Sequence, residues 1–138
     1  MFSHCLYFNS TALARLLDRE WSRAFARFDL TPAQAFMLRA ILAQPGRLQR
    51  ELAALLVIAR PTATRTLDGL CHKGLVERRA TTQDRREQAL FPTPAATALA
   101  SDLNAAAAAV TTRLKQQFGE EMFHETVRHI RLIRDGLE

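Results

Sequence analysis

Two short helical patterns joined by a very tight connection constrain this sequence more than any other feature. Residues 48–56 (LQRELAALL) are apolar at Leu48, Leu52, Leu55 and Leu56, the spacing of one helix face. The chain passes through Val57-Ile58-Ala59, and a second pattern over residues 61–72 is apolar at Ala63, Leu67 and Leu70, with Gly74 as its C-terminal stop. Proline at a first helical position has no N–H to lose there, so Pro61 marks a start, not a break. The N-terminal half of this second helix is small, polar and basic, with Arg60, Thr62, Thr64 and Arg65.

The flanking segments have their own periods. In residues 10–28, Leu13, Leu17, Trp21, Ala24 and Phe28 recur at steps of three and four among Arg15, Arg19, Arg23 and Arg27, an amphipathic helix. Thr31-Pro32 is an N-cap followed by proline, opening a helix that buries Phe36, Ile41 and Leu42 before Pro45-Gly46 stops it. After Gly74 the period changes, and residues 75–79 and 88–91 read as a hairpin with a charged tip. Thr93-Pro94 opens a long helix with Leu99, Leu103, Ala106, Val110, Leu114 and Phe118 at heptad-like spacing, about 37 Å if it spans some 25 residues. Gly119 breaks it, and residues 120–137 make a last helix with Phe123, Val127, Ile130, Ile133 and Leu137 on one face.

The expected fold is mainly α with a small β-hairpin wing, a winged helix-turn-helix with N- and C-terminal dimerisation helices. One domain spans residues 1–138, with a DNA-binding lobe at 32–92 and dimerisation helices at 1–30 and 93–138. Three apolar helical stripes at the chain ends exceed what one protomer of this length can cover, so an intertwined homodimer is expected, a compact monomeric bundle being the alternative.

Charge points to the same middle segment. Residues 47–86 hold nine basic and four acidic side chains, and 9 − 4 accounts for the whole net charge of +5. A basic middle between near-neutral flanks is the footprint of a polyanion contact, a solvated arginine-rich surface being the bland reading. Arg65 suits guanine O6 and N7, Thr62 and Thr64 suit phosphates or a thymine methyl, and Arg60 suits a phosphate. Gln49 and Arg50 are placed to hold the backbone and set register. At the tip, Asp84 orients and Arg86 probes the minor groove or the phosphates, with Arg85 interchangeable. For each of these residues the alternative is a solvent-facing polar side chain.

Across residues 6–137 the sequence resembles the MarR/SlyA regulators of bacteria. The likeness is carried by Gln49-Arg50-Glu51-Leu52-Ala53, Thr62-Ala63-Thr64-Arg65, Leu70-Cys71-His72-Lys73-Gly74-Leu75-Val76-Glu77-Arg78 and Asp84-Arg85-Arg86. The resemblance implies a dimeric winged-helix repressor or activator on a palindromic operator, released by a small ligand or an oxidant. It assigns the recognition-helix positions to Arg60, Pro61, Thr62, Thr64 and Arg65, and the wing motif to Asp84 and Arg86. Val57 and Ala59 stand where the family has a glycine and a capping serine, an uncapped start costing about 1 kcal/mol. Pro92 replaces a leucine, so the hairpin is expected to end early, and Ala96 replaces a glycine at the entry to the long helix.

The family's effector cleft implies an aromatic or apolar small molecule met by Tyr7, Phe8, Trp21, Phe25, Phe28, Phe36 and Met37, for which plain core is the alternative. Cys5-Leu6-Tyr7-Phe8-Asn9 resembles the segment bearing the reactive thiol of the organic-peroxide-sensing (OhrR) branch, although counting from Leu30-Thr31 matches that thiol to Tyr7. Cys5 is the redox candidate and Cys71 a buried inert thiol. No metal is expected, since His124 and His129 are five apart and off-face on a helix. No enzyme and no cofactor are expected, for the sequence has no Gly-rich phosphate loop, H-E-x-x-H or G-x-S-x-G.

Two cysteines make no disulfide framework, residues 1–10 lack a basic n-region, and the longest apolar run, 52–59, is eight residues. A cytoplasmic protein with no membrane contact is expected. The expected function is that of a dimeric DNA-binding transcriptional regulator, a repressor, on a pseudo-palindromic operator. A helical dimeric protein-interaction module without DNA binding is the alternative.

Overall fold

The computed structural model describes residues 1–81 and 86–138. In chain order it has α1 (Leu6–Phe25), a short 3-10 turn (Ala26–Phe28), α2 (Pro32–Ala43), β1 (Arg47–Leu48), α3 (Gln49–Leu56), α4 (Arg60–His72), β2 (Val76–Ala80), β3 (Gln88–Pro92), α5 (Pro94–Phe118) and α6 (Glu120–Leu137). The first helix starts earlier than its apolar period, at Leu6. Asn9 Nδ2 donates to the carbonyls of Phe2, Ser3 and Cys5 and gathers the N-terminal residues onto that first turn.

Helix ends follow their local chemistry. Thr31 Oγ1 accepts the Gln34 N–H and Gln34 Oε1 accepts the Thr31 N–H, both at 3.1 Å, a reciprocal capping box at the start of α2. Thr93 Oγ1 accepts the Ala96 N–H at 3.3 Å and donates to Gly74 O at 2.7 Å. Ala59 makes no side-chain cap for α4. That helix ends in the bond pair of a Schellman motif, Leu75 N–H to Leu70 O and Gly74 N–H to Cys71 O, with Gly74 at φ +72°.

The sheet is antiparallel in the order β1-β3-β2. Leu48 belongs to β1 and not to the helix after it, since Arg47 pairs with Leu90 and Leu48 with Ala89. The hairpin does not stop short of Pro92, which pairs with Val76. Thr93 N–H donates to Leu75 O at 3.0 Å, making Val76 and Pro92 the adjacent non-hydrogen-bonded pair, in which the imide nitrogen owes β2 no donor. On the opposite side β1 has already ended.

The core lies where α2, α3, α4, β3 and α5 meet, with Leu38, Ile41, Leu52, Leu67, Leu70, Leu90 and Leu103 fully buried. On α5 the buried residues are Ala96, Leu103, Ala107 and Val110. Ala107 is buried in the place expected of Ala106, so the stripe from Leu103 to Val110 steps by four and then three residues and not by three and then four. α1 contributes only Phe25 to the buried set and α6 nothing. Leu6, Tyr7, Phe8, Leu13 and Leu16 at one end, and Met122, Val127, Ile130, Ile133 and Leu137 at the other, are exposed in the single chain.

Val57 ends α3 at φ 54°, ψ 50°, with Ile58 N–H bonded to Ala53 O. This left-handed site is costly for a β-branched side chain, by about 1–2 kcal/mol, and Val57 is exposed, so it gains little packing in return. Val57→Gly is expected to stabilise the fold by about 1 kcal/mol after the greater entropy of unfolded glycine is offset. A higher urea midpoint at unchanged slope is the expected reading, and a lower midpoint contradicts the strain.

Candidate nucleic-acid interface

α4 is anchored by one face and open on the other. Ala63, Leu67 and Leu70 are fully buried, while Arg60, Pro61 and Arg65 are exposed and Thr62 and Thr64 half-buried. Arg65 Nη2 lies 3.4 Å from Thr62 Oγ1, a long hydrogen bond easily exchanged for a ligand. Thr64 is tied down: its hydroxyl accepts from Gln49 Nε2 at 2.8 Å and donates to Arg60 O at 3.1 Å. Gln49 thus joins the start of α3 to the first turns of α4, and Thr64 keeps its methyl for apolar contact.

Between α3, the start of α4 and the wing lies a cleft of ≈ 590 Å³ lined by Gln49, Arg50, Ala53, Arg60, Ala63, Arg86, Glu87 and Gln88. It brings together Gln49, Arg50, Arg60 and Arg86, four of the residues that the sequence pattern singles out, with three guanidiniums among them. Asp84 and Arg85 lie outside the described residues. Arg50 Nε sits 2.9 Å from Glu87 Oε1 across this cleft.

The wing is braced on α4 by Arg78, whose Nη2 lies 2.6 Å from Asp68 Oδ1, and Arg79 stacks on the Phe91 ring at 4.0 Å. The C-terminal end of α4 is tied to α2 through Lys73, whose ammonium donates to Asp29 O and, at 3.1 Å, to Gln34 Oε1. A Cβ at Gly69 would stand 2.6 Å from Gln34 Nε2, so the end of that flexible side chain would have to turn aside. Sequence pattern does not single out Asp68 or Glu87, because each finds its partner ten or more positions away and carries no motif, and the Gln34 tie to Lys73 spans 39 positions.

Of the residues assigned to an effector cleft, Trp21 and Phe36 line one cavity of ≈ 360 Å³ with Arg39, Asn104, Thr111 and Lys115 between α1, α2 and α5. Phe25 and Met37 do not line it. Both are fully buried in the core, Phe25 packing edge-on against Phe36 at 5.9 Å, so they are structural. Tyr7 and Phe8 are exposed on the first turn of α1, also away from this cavity. Arg39 donates from Nε to Asn104 Oδ1 at 2.9 Å and lies over the Phe36 ring, and its partial burial lowers its pKa. Cys5 is exposed at the N-cap of α1, and Cys71 is half-buried on α4.

A three-stranded sheet packed on three helices, with the hairpin beside the third, is a winged helix-turn-helix, and known proteins share it. Residues 28–87 match the MarR family model. A curated relative, the uncharacterized HTH-type transcriptional regulator YybA of Bacillus subtilis (strain 168), is 33% identical over 81 residues, 59% of this chain and 54% of its own length. The match thus spans about half of that relative.

Among solved structures, the transcriptional repressor CouR bound to a 23-mer DNA duplex is 28% identical with a TM-score of 0.88, covering 96% of this chain and 94% of that one. The S. aureus MepR–DNA complex, 21% identical, has a TM-score of 0.85 over 95% of this chain and 96% of its own. A MarR family regulator from Listeria monocytogenes complexed with 26mer DNA, also 21% identical, has a TM-score of 0.83 over 96% and 88%. YybA, CouR and the Listeria protein are named as transcriptional regulators or repressors. Among the described residues no helix is long and apolar enough to cross a membrane.

Proposed function

We propose that this protein is a homodimeric DNA-binding transcriptional regulator, a repressor, that lays α4 in the major groove at each half of a pseudo-palindromic operator. The observation that carries this is the outward face of the N-terminal half of α4, whose Arg60 shares one cleft with Arg50 and Arg86 within the segment that matches the MarR family model. A helix start directs its positive dipole end at phosphate, and short side chains let it enter a groove roughly 12 Å wide. Arg65 reads a guanine, Thr62 and the Thr64 methyl meet a phosphate or a thymine methyl, and Arg60, Gln49 and Arg50 hold the backbone. Pro61 presets the helix start. Asp84 orients the wing arginines, and Arg85 and Arg86 enter the minor groove or follow the phosphates.

In this reading residues 32–92 are the reading lobe, and residues 1–30 and 93–138 are the dimerisation helices. The exposed apolar faces of α1 and α6 support it, because a large contiguous apolar surface marks an interface. The half-site centres then lie about 10 bp apart. The effector is a small aromatic or apolar molecule at the Trp21–Phe36 cavity. Linkage requires that it weaken DNA binding by the same factor by which DNA weakens it.

Binding to random duplex DNA across a salt series tests the proposal. The wild type is expected to give a steep slope, and Arg85→Ala/Arg86→Ala to flatten it by about 0.9 for each phosphate left without its arginine; a folded dimer that does not bind at low salt refutes DNA binding. On the selected operator, Arg65→Ala is expected to cost about 1–3 kcal/mol at one base pair per half-site, whereas equal weakening on random DNA removes its reading role. In sedimentation, Ile130→Glu/Ile133→Glu is expected to turn a dimer into a monomer, and a monomeric wild type contradicts the assembly.

A further inference from the structure

We propose that Glu87 is an internal stand-in for DNA phosphate: its carboxylate occupies Arg50 in the unbound protein and is displaced when phosphate arrives, setting how weakly the protein holds DNA of any sequence. The inference rests on the DNA-binding reading above and adds to it a residue that opposes binding.

Arg50 meets Glu87 through Nε at 2.9 Å, and the edge of a guanidinium that carries Nε is one that carboxylates and phosphates both use. The two partners are unequally placed, the Arg50 side chain being 70% exposed and that of Glu87 31%. Glu87 is also fixed at the base of the wing, where its carbonyl accepts the Thr81 N–H at 3.1 Å. The Glu87 backbone is therefore held at the cleft while the arginine head remains open to solvent and to an incoming anion. Among the described residues that line this cleft, Arg50, Arg60 and Arg86 are basic and Glu87 alone is acidic.

Two effects oppose each other. The carboxylate holds Arg50 in one orientation, which favours binding, and it repels a phosphate entering the same cleft, which disfavours it. An ion pair this exposed holds its partners weakly, so the orienting effect is small. The repulsion acts inside a cleft that DNA desolvates on docking and is the larger of the two. The exchange moves no proton and breaks no covalent bond. Phosphate takes the guanidinium edge and the carboxylate returns to water.

The test measures random-duplex binding by fluorescence anisotropy over a salt series for the wild type, Glu87→Gln, Arg50→Ala and the double variant. Glu87→Ala replaces the glutamine variant if circular dichroism shows the latter misfolded. Glu87→Gln is expected to bind about tenfold tighter at low salt and to steepen the salt slope by about 0.9. In the Arg50→Ala background the same change is expected to tighten binding by less than about twofold. Weaker or unchanged binding by Glu87→Gln overturns the proposal and makes the carboxylate an orienter of Arg50. An equal effect with and without Arg50 also overturns it, reducing Glu87 to a general charge. If neither the wild type nor Glu87→Gln binds although both are folded, the DNA-binding reading itself fails and this role of Glu87 falls with it.

Discussion

Burial of one face of α4 is the constraint from which the rest of the lobe follows. Ala63, Leu67 and Leu70 are spaced to enter the core between α2, α3 and β2, and with that face committed the helix can rotate no further about its axis. Its opposite face at the N-terminal half has nowhere to go but outward. Three polar ties then hold the helix along its length: Gln49 to Thr64 near the start, Asp68 to Arg78 in the middle, and Lys73 to Asp29 and Gln34 at the end. Each tie is partly exposed and weak alone, yet each reaches a different element, so together they fix tilt as well as position. A Cβ at Gly69 would meet the Gln34 amide that takes part in the last of these ties.

Elements set by local chemistry were legible in the sequence. Thr31-Pro32 and Thr93-Pro94 announce helix starts because a hydroxyl cap and a missing N–H act within three residues, and Gly74 announces a stop because its left-handed backbone is a property of that residue alone. What was hidden depends on partners distant in the chain. β1 is two residues long and exists only because β3 lies beside it, so Leu48 looked like the first turn of a helix. Pro92 looked like a terminator because the sequence does not tell which of its neighbours would have needed an N–H.

The candidate site divides along the same line. The polar and basic run Arg60 to Arg65 was readable because α4 alone arranges it. The cleft that gathers Arg50, Arg86 and Glu87 needs α3 and the wing folded against one another, and nothing local says that residues 50 and 87 meet. The aromatic residues show the limit most clearly. Phe25 and Phe36 touch edge to face, yet one is fully buried and the other partly exposed on a cavity. Their identity is the same, and only the packing of α1 across α2 separates them.

Thr93 carries a mechanical consequence. Its N–H is bonded to Leu75, its hydroxyl donates to Gly74 and accepts from Ala96, and it stands directly between β3 and α5. The long helix therefore joins the lobe with no slack segment in which an angular change could be absorbed. It works as a lever arm welded at one end. For an arm of about 37 Å, a tilt of roughly 5° displaces the far end by about 3 Å, close to the rise of one base pair. A small molecule wedged beside this arm would need to turn it only slightly to put two recognition helices out of step with the double helix.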